Sequence, residues 1–294
     1  MARVLVIGGM GLLGQYVARE GRRRGHEVLA THRGRRPPPD GTSWQPLDLA
    51  EPGAAAEVVR DASPDLVVNA AALTDVDGCE TRTDEARLVN AEAAGALAEA
   101  SGAIGAGFVH ASTDYVFDGT GPATEETPAS PLNAYGRSKL EGERLVARGR
   151  PDALVLRLSA VFGDNRLSTK PNAVTWILER LLRGEEARLF EDQRLTPTYA
   201  QTAAECAFDL WAARARGLFN VASRNCLSRV EMGRIVAEVF RIPEARIVPV
   251  PLSSVALKAP RPPAPCLVVR KVEETLKRDM PGFRACVEHM RAAR

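Results

Sequence analysis

The feature that most constrains this chain stands at its start. Arg3-Val4-Leu5-Val6-Ile7 is a short apolar run that fits a strand buried on both faces. It runs directly into Gly8-Gly9-Met10-Gly11-Leu12-Leu13-Gly14, and apolar residues at helical spacing follow to about Arg24. Strand, glycine turn and helix in that order form a dinucleotide-binding unit. Gly8 makes the tight turn, Gly11 admits a pyrophosphate close to the backbone, and Gly14 lets the helix pack on the strand. Met10, Leu12 and Leu13 then lie against the cofactor, where a helix N-terminus favours an anion. Such a start commits the chain to alternating strands and helices.

The alternation continues. The second strand is Glu27–Thr31, and Trp44–Leu49 holds the third. Its Asp48-Leu49 pair is placed to flank an adenine. The second strand ends in His32-Arg33-Gly34-Arg35-Arg36 and not in the acidic residue that selects NAD. Guanidinium groups there suit a 2′-phosphate, so His32 and chiefly Arg33 predict NADPH, with NADH left open. The fourth strand, Leu66–Ala72, ends in Ala70-Ala71-Ala72, small enough for a cofactor to lie across. A helix follows from Asp84 to about Ser101. Its polar Asn90 sits on a mostly apolar face and is a candidate for ordering the site.

The fifth strand, Gly107–Ser112, leads into Thr113-Asp114-Tyr115. Next comes a helix start at Pro131-Leu132-Asn133-Ala134-Tyr135-Gly136-Arg137-Ser138-Lys139. Tyr135 and Lys139 are four apart and share one helix face. The ammonium is expected to lower the tyrosine pKa and prepare the phenol for proton exchange. Thr113 offers a hydroxyl to the same substrate oxygen. Asp114 is expected to tie the loop backbone.

Residues 153–163 read as the sixth strand, Asn172–Arg183 as a helix, and 189–199 as a strand and turn. Residues 217–222 read as a seventh strand returning to the sheet. Ser228 and Glu231 form a capping box. The fold expected is α/β: a Rossmann-type doubly wound parallel sheet with a small C-terminal substrate-binding lid. Its cofactor domain is 1–163, with 195–223 returning to it; the lid is 164–194 and 224–294.

Length and composition are ordinary. The 294 residues, 45% apolar and 26% charged, with net charge +2, give no case for nucleic acid or a membrane. No apolar run reaches the ~18 residues of a membrane span. The five cysteines (Cys79, Cys206, Cys226, Cys266, Cys286) have neither paired nor metal-type spacing, so they read as thiols in a reducing cytoplasm, with no metal.

The motifs also carry a resemblance. Gly8-x-x-Gly11-x-x-Gly14, Asn69–Thr74, Val76–Glu80, Val89-Asn90, Ser112–Gly119, Pro131–Glu143 and Leu156-Arg157 resemble the extended short-chain dehydrogenase/reductases. Within them they resemble the dTDP-4-dehydrorhamnose reductase group. The resemblance implies a Thr113–Tyr135–Lys139 triad: Tyr135 protonates a ketone oxygen, Thr113 holds it, and Lys139 binds the nicotinamide ribose, beside Ser112. It implies a substrate side built from Thr74, Asp75, Val76, Asp118, Ala160, Val161, Gln193, Arg194 and Arg261. Two departures stand out. The group often has a tryptophan where Ala160 stands, and an asparagine in the stretch that here reads Pro263-Ala264-Pro265-Cys266.

The implied function is NADPH-dependent reduction of the 4-keto group of a nucleotide-activated 6-deoxy sugar, dTDP-linked. A homodimer stays open. One alternative is a nucleotide-sugar epimerase or dehydratase. The dehydratase lacks its glutamate, because Tyr115 follows Asp114, and the epimerase is disfavoured by His32-Arg33. Another alternative is a non-catalytic binding subunit like the β subunit of methionine adenosyltransferase.

Overall fold

The computed structural model describes residues 1–34, 37–38, 41–167 and 170–294. Its first half alternates as the apolar runs demand: β1 (Arg3–Ile7), α1 (Leu12–Arg23), β2 (Glu27–His32), β3 (Ser43–Pro46), α2 (Ala54–Ala62) and β4 (Leu66–Asn69). Two short helices, α3 (Val76–Cys79) and α4 (Thr83–Arg87), precede α5 (Ala93–Ala103). The reacting segment is β5 (Gly107–Thr113) and α6 (Ala134–Gly149), followed by β6 (Leu154–Leu158). Beyond lie α7 (Ala173–Leu182), β7 (Ala187–Phe190), β8 (Arg194–Leu195), α8 (Ala200–Ala212) and β9 (Gly217–Asn220). The chain closes with β10 (Leu227–Ser228), α9 (Arg229–Val239), β11 (Ile247–Val250), α10 (Arg270–Leu276) and α11 (Phe283–Ala292).

Seven parallel strands form one sheet in the order β3-β2-β1-β4-β5-β6-β9. The side-chain period of two explains the layers. In β1, Val4 and Val6 enter the hydrophobic cluster on one face, and Leu5 and Ile7 the cluster on the other. Helices α1 and α8 cover the first face through Tyr16, Val17, Ala203 and Ala207. Helices α2, α5 and α6 cover the second through Val58, Val59, Leu97 and Val146. The doubly wound α/β fold is therefore as expected, including the late return of β9 beside β6.

Later segments carry two small sheets, β7 with β11 in parallel and β8 with β10 antiparallel. Helices α7, α9 and α11 pack Ile177, Leu178, Val236 and Val287 into the first cluster. Residues 260–268 then run back along the loop after β5. There Ala123 pairs with Leu267, and Ala264 N–H donates to Gly119 O at 3.1 Å.

Three local differences from the sequence reading have physical causes. The helix expected from Asp84 to Ser101 contains a π-turn at Leu88–Glu92, centred on Asn90. Single π-turns inside helices gather at functional sites. The sixth strand stops at Leu158, because Ser159 N–H is taken by Thr198 Oγ1 and Ala160 adopts φ +40°. Finally, Cys226 and Cys266 are joined in a disulfide, which corrects their reading as thiols. Their separation of 40 residues hid the pairing; the fold lays the segment around 266 beside the start of β10. Cys79, Cys206 and Cys286 are buried free thiols.

Candidate active site

A cavity of about 710 Å³ opens along the carboxyl ends of the strands and is lined from Gly8 to Arg229. Open parallel sheets place their ligand sites there. One half lies over the glycine turn. Gly14 is fixed by contact, since a Cβ there would fall 2.1 Å from Gly8 O and push α1 off the turn. The cavity wall here includes Gly8, Met10, Gly11, Leu12 and Leu13, then His32, Arg33, Asp48 and Leu49. Arg33 lies 3.9 Å from Asp48 Oδ1, a loose exposed pair of little net strength. His32 Nδ1 is buried and has no hydrogen-bond partner among the described residues. Arg35 and Arg36 lie outside the described residues. Ala70, Ala71 and Ala72 floor the middle. The glycine-shaped cradle, the orphaned His32 nitrogen and the loosely held Arg33 fit a phosphorylated dinucleotide.

At the centre, β5 delivers Ser112 and Thr113 to the cavity edge. Asn133 caps α6 by accepting from Gly136 N–H at 2.8 Å. At Gly136 a Cβ would stand 2.2 Å from Tyr115 O, so only glycine lets α6 settle on the turn after β5. That seating brings Tyr135 beside Thr113, with the Tyr115 ring edge-on at 5.8 Å. Thr113 Oγ1 donates to Asp114 Oδ1 at 3.1 Å, and Ser159 Oγ to Asp114 Oδ2 at 2.6 Å. Asp114 thus holds the Thr113 hydroxyl as well as the loop. Burial raises its carboxyl to about 6, against the pull of these two donors.

Lys139 is 1% exposed. Its Nζ donates to Ala111 O at 2.7 Å and stands 3.2 Å from His110 Nε2. Burial pushes its ammonium down to about 8, with Glu143 acting in the opposite direction. Burial, then the Lys139 charge, keeps His110 neutral. The other His110 nitrogen faces Asn69 Nδ2 at 3.2 Å, and Asn69 Oδ1 accepts from Ala71 N–H. A polar chain therefore links the end of β4 to the lysine. Beneath it, Glu143 accepts from Ser112 Oγ at 2.5 Å and from two Arg157 nitrogens at 2.9 and 2.6 Å.

One electrostatic expectation reverses. Burial raises the Tyr135 pKa, and the Thr113 hydrogen bond only partly opposes this. The lysine was expected to lower it, but desolvation of the phenolate outweighs a charge that is turned toward Ala111 O and His110. The phenol is held protonated, the form that can give a proton to a reduced ketone.

The other half of the cavity is assembled from distant segments. Thr74, Val76, Ala160 and Val161, which the resemblance assigned to the substrate, line it. Ala160 is a non-glycine residue in left-handed backbone, a strained conformation of the kind found at binding sites. Lys170, Tyr115, Leu195 and Arg229 also line it and were not anticipated.

Six anticipated residues are absent from the cavity wall. Asn90 is one turn removed: its Oδ1 accepts from Leu73 N–H, and its Nδ2 donates to Leu73 O and Ser138 Oγ, tying the β4 loop to α6. Asp75 caps α3 and pairs with Arg82. Asp118 holds Thr120 through its N–H and hydroxyl. Gln193 donates to Pro262 O at 3.2 Å. Arg194 donates to Cys226 O and pairs with Glu231. Arg261 forks onto Asp77 at 2.8 and 3.2 Å. In each case a polar side chain found an acceptor or donor within the protein, which sequence spacing cannot foresee.

Comparison with known proteins follows the same lines. The profile described as RmlD substrate binding domain matches residues 2–293. A probable low-salt glycan biosynthesis reductase, Agl14, of Haloferax volcanii is 36% identical over 291 residues, 98% of this chain and 97% of the relative. A dTDP-4-dehydrorhamnose reductase of Burkholderia thailandensis is 38% identical over 261 residues, 82% and 85% of the two chains. The crystal structure of dTDP-4-dehydrorhamnose reductase from Bacillus anthracis in complex with NADP superposes with a TM-score of 0.86 at 25% identity, covering 100% of this chain and 99% of that one.

Proposed function

The chain belongs to the RmlD substrate-binding-domain family, and from that premise we propose an NADPH-dependent reductase of the 4-keto group of a dTDP-linked 6-deoxy sugar. It is an NAD(P)H-dependent oxidoreductase, similar throughout its length to enzymes named for that reaction. The observation that carries the substrate reading is Tyr135, kept protonated beside Thr113 where the two halves of the cavity meet.

Gly8, Gly11 and the start of α1 would hold NADPH, with Arg33 and His32 available to its 2′-phosphate, and the cofactor would supply the hydride for the ketone carbon. The chain's own residues do the rest. Tyr135 fixes the ketone oxygen, joined by Thr113 once its hydroxyl proton turns from Asp114 to the substrate. Tyr135 gives it a proton, so charge does not build up on that oxygen in a buried site. The Lys139 ammonium, which His110 and Ala111 O hold in place at the cavity wall, is the group offered to the nicotinamide ribose hydroxyls. Asp114 holds the Thr113 hydroxyl until substrate arrives, and Ser112 anchors the end of β5 on Glu143. The small side chains at 70–72 would leave room for the nicotinamide half, and Asp48 with Leu49 would border the adenine.

In this reading 1–163 with 195–223 holds the cofactor, while 164–194 and 224–294 close over the sugar. A reductase drawing on NADPH works where NADPH is regenerated, so we place the chain in the cytoplasm; no helix among the described residues is long and apolar enough to cross a membrane. A homodimer is compatible with this reading, and sedimentation velocity tests it.

The deciding experiment follows NADPH absorbance with a freshly prepared dTDP-4-keto-6-deoxy sugar. Turnover with a 4-hydroxy product establishes the reading. No consumption with any keto-sugar nucleotide, together with stoichiometric capture of a synthetase subunit, would sink it in favour of a binding role.

A further inference from the structure

We infer that Arg229 is the receptor for the diphosphate of the substrate, a role no motif in the chain announces. The inference deepens the reductase reading and rests on it. Among the described residues, four cationic side chains line the cavity: Arg33, Lys139, Lys170 and Arg229. Arg33 stands at the adenosine end beside Asp48. Lys139 donates to Ala111 O, and Lys170 to Thr74 Oγ1 at 2.8 Å. Arg229, the first residue of α9, has no hydrogen-bond or ion-pair partner among the described residues.

Every group that faces it is already engaged. Both Asp114 oxygens accept hydrogen bonds, from Thr113 and Ser159. Tyr115 lies beside Gln193, and burial holds its phenol in the neutral form. Arg261 repels Arg229 and is clamped by Asp77. Burial disfavours the Arg229 charge, yet a guanidinium stays protonated in proteins. The site therefore keeps a partly desolvated cation whose facing carboxylate, Asp114, is shared with two other donors and makes no direct ion pair with it, so the guanidinium has hydrogen-bonding capacity left for a ligand's anionic oxygens. A nucleotide sugar has one strongly anionic group, its diphosphate. The planar fork of arginine matches phosphate oxygens in pairs. The resemblance pointed to Arg194 and Arg261 on this side, but both forks are spent on protein acceptors.

The test is calorimetric binding of dTDP, UDP and thymidine to the full chain saturated with NADP⁺, so that the dinucleotide site is occupied. Arg229→Ala is expected to weaken dTDP binding roughly 10–100-fold, the range for a charged hydrogen-bonded contact. Thymidine affinity should not move, and Arg229→Lys should recover part of the loss. Native near-UV circular dichroism and unchanged NADPH affinity exclude misfolding. Arg229→Ala that binds dTDP as tightly as wild type overturns the inference. So does a wild-type protein that binds neither dTDP nor UDP. Turnover of a keto-sugar is measured separately and decides the reductase reading on its own.

Discussion

The two halves of the cavity are built on different principles. The cofactor half is local: its wall comes from the ends of β1, β2, β3 and β4 and the turns that follow. Backbone does much of the work there, through the glycine turn and the start of α1, and the side chains named from sequence, Asn90 excepted, line the wall. The substrate half is non-local: residues 74, 76, 158, 160–161, 165, 170–173, 195 and 229 meet only after the chain has crossed the sheet and come back. There the polar residues that stand out in sequence are tied up internally, as Arg261 is with Asp77. A backbone site can be read from the order of elements, because geometry follows from the turn. A side-chain site depends on which partner each long polar group finds first.

That contrast can be broken at several points. The largest effect is expected at the junction. Tyr135→Phe removes the proton donor and should lower kcat roughly 10²–10⁴-fold with little change in KM; steady-state rates equal to wild type would remove Tyr135 from the chemistry. Next is Lys139, whose ammonium titrates near 8. Above that pH the charge is lost, so kcat/KM for NADPH should fall about tenfold per further pH unit. A profile flat to pH 10 contradicts the assignment. The stability sign is the opposite. A base with a depressed folded pKa costs stability below about 8, and the cost fades as pH rises toward the ordinary lysine value. Lys139→Met should therefore shift the urea midpoint upward at pH 7 and by less at pH 10, while losing activity.

Smaller effects test each half directly. Arg33→Ala should raise KM for NADPH about tenfold or more while sparing NADH, as expected for one charge-assisted contact. Equal changes for both cofactors would put the 2′-phosphate elsewhere. Arg261→Ala should do least. Its pair with Asp77 is only partly shielded, so about 1 kcal/mol or less of stability is at stake, and KM for the sugar nucleotide should stay within about threefold. A large KM effect there would return Arg261 to the substrate and weaken the contrast.

The sequence by itself determined the sheet, because alternating buried strands and a glycine turn admit few other arrangements. It determined Tyr135 and Lys139 as neighbours, since helical spacing carries that over four residues. It also determined the Ser228–Glu231 capping box, whose two bonds are both formed. What it did not contain was direction over distance. Ser228 marks where α9 begins, but only the packing of α9 against α7 and β7 aims Arg229 at the cavity. Tyr135 could be named, but its pKa was decided by burial that no residue pattern displays. Cys226 and Cys266 could be counted, but not paired across 40 residues. Local chemistry is encoded by spacing along the chain. The competition among distant charges, and the removal of water from between them, is settled only when the chain has folded.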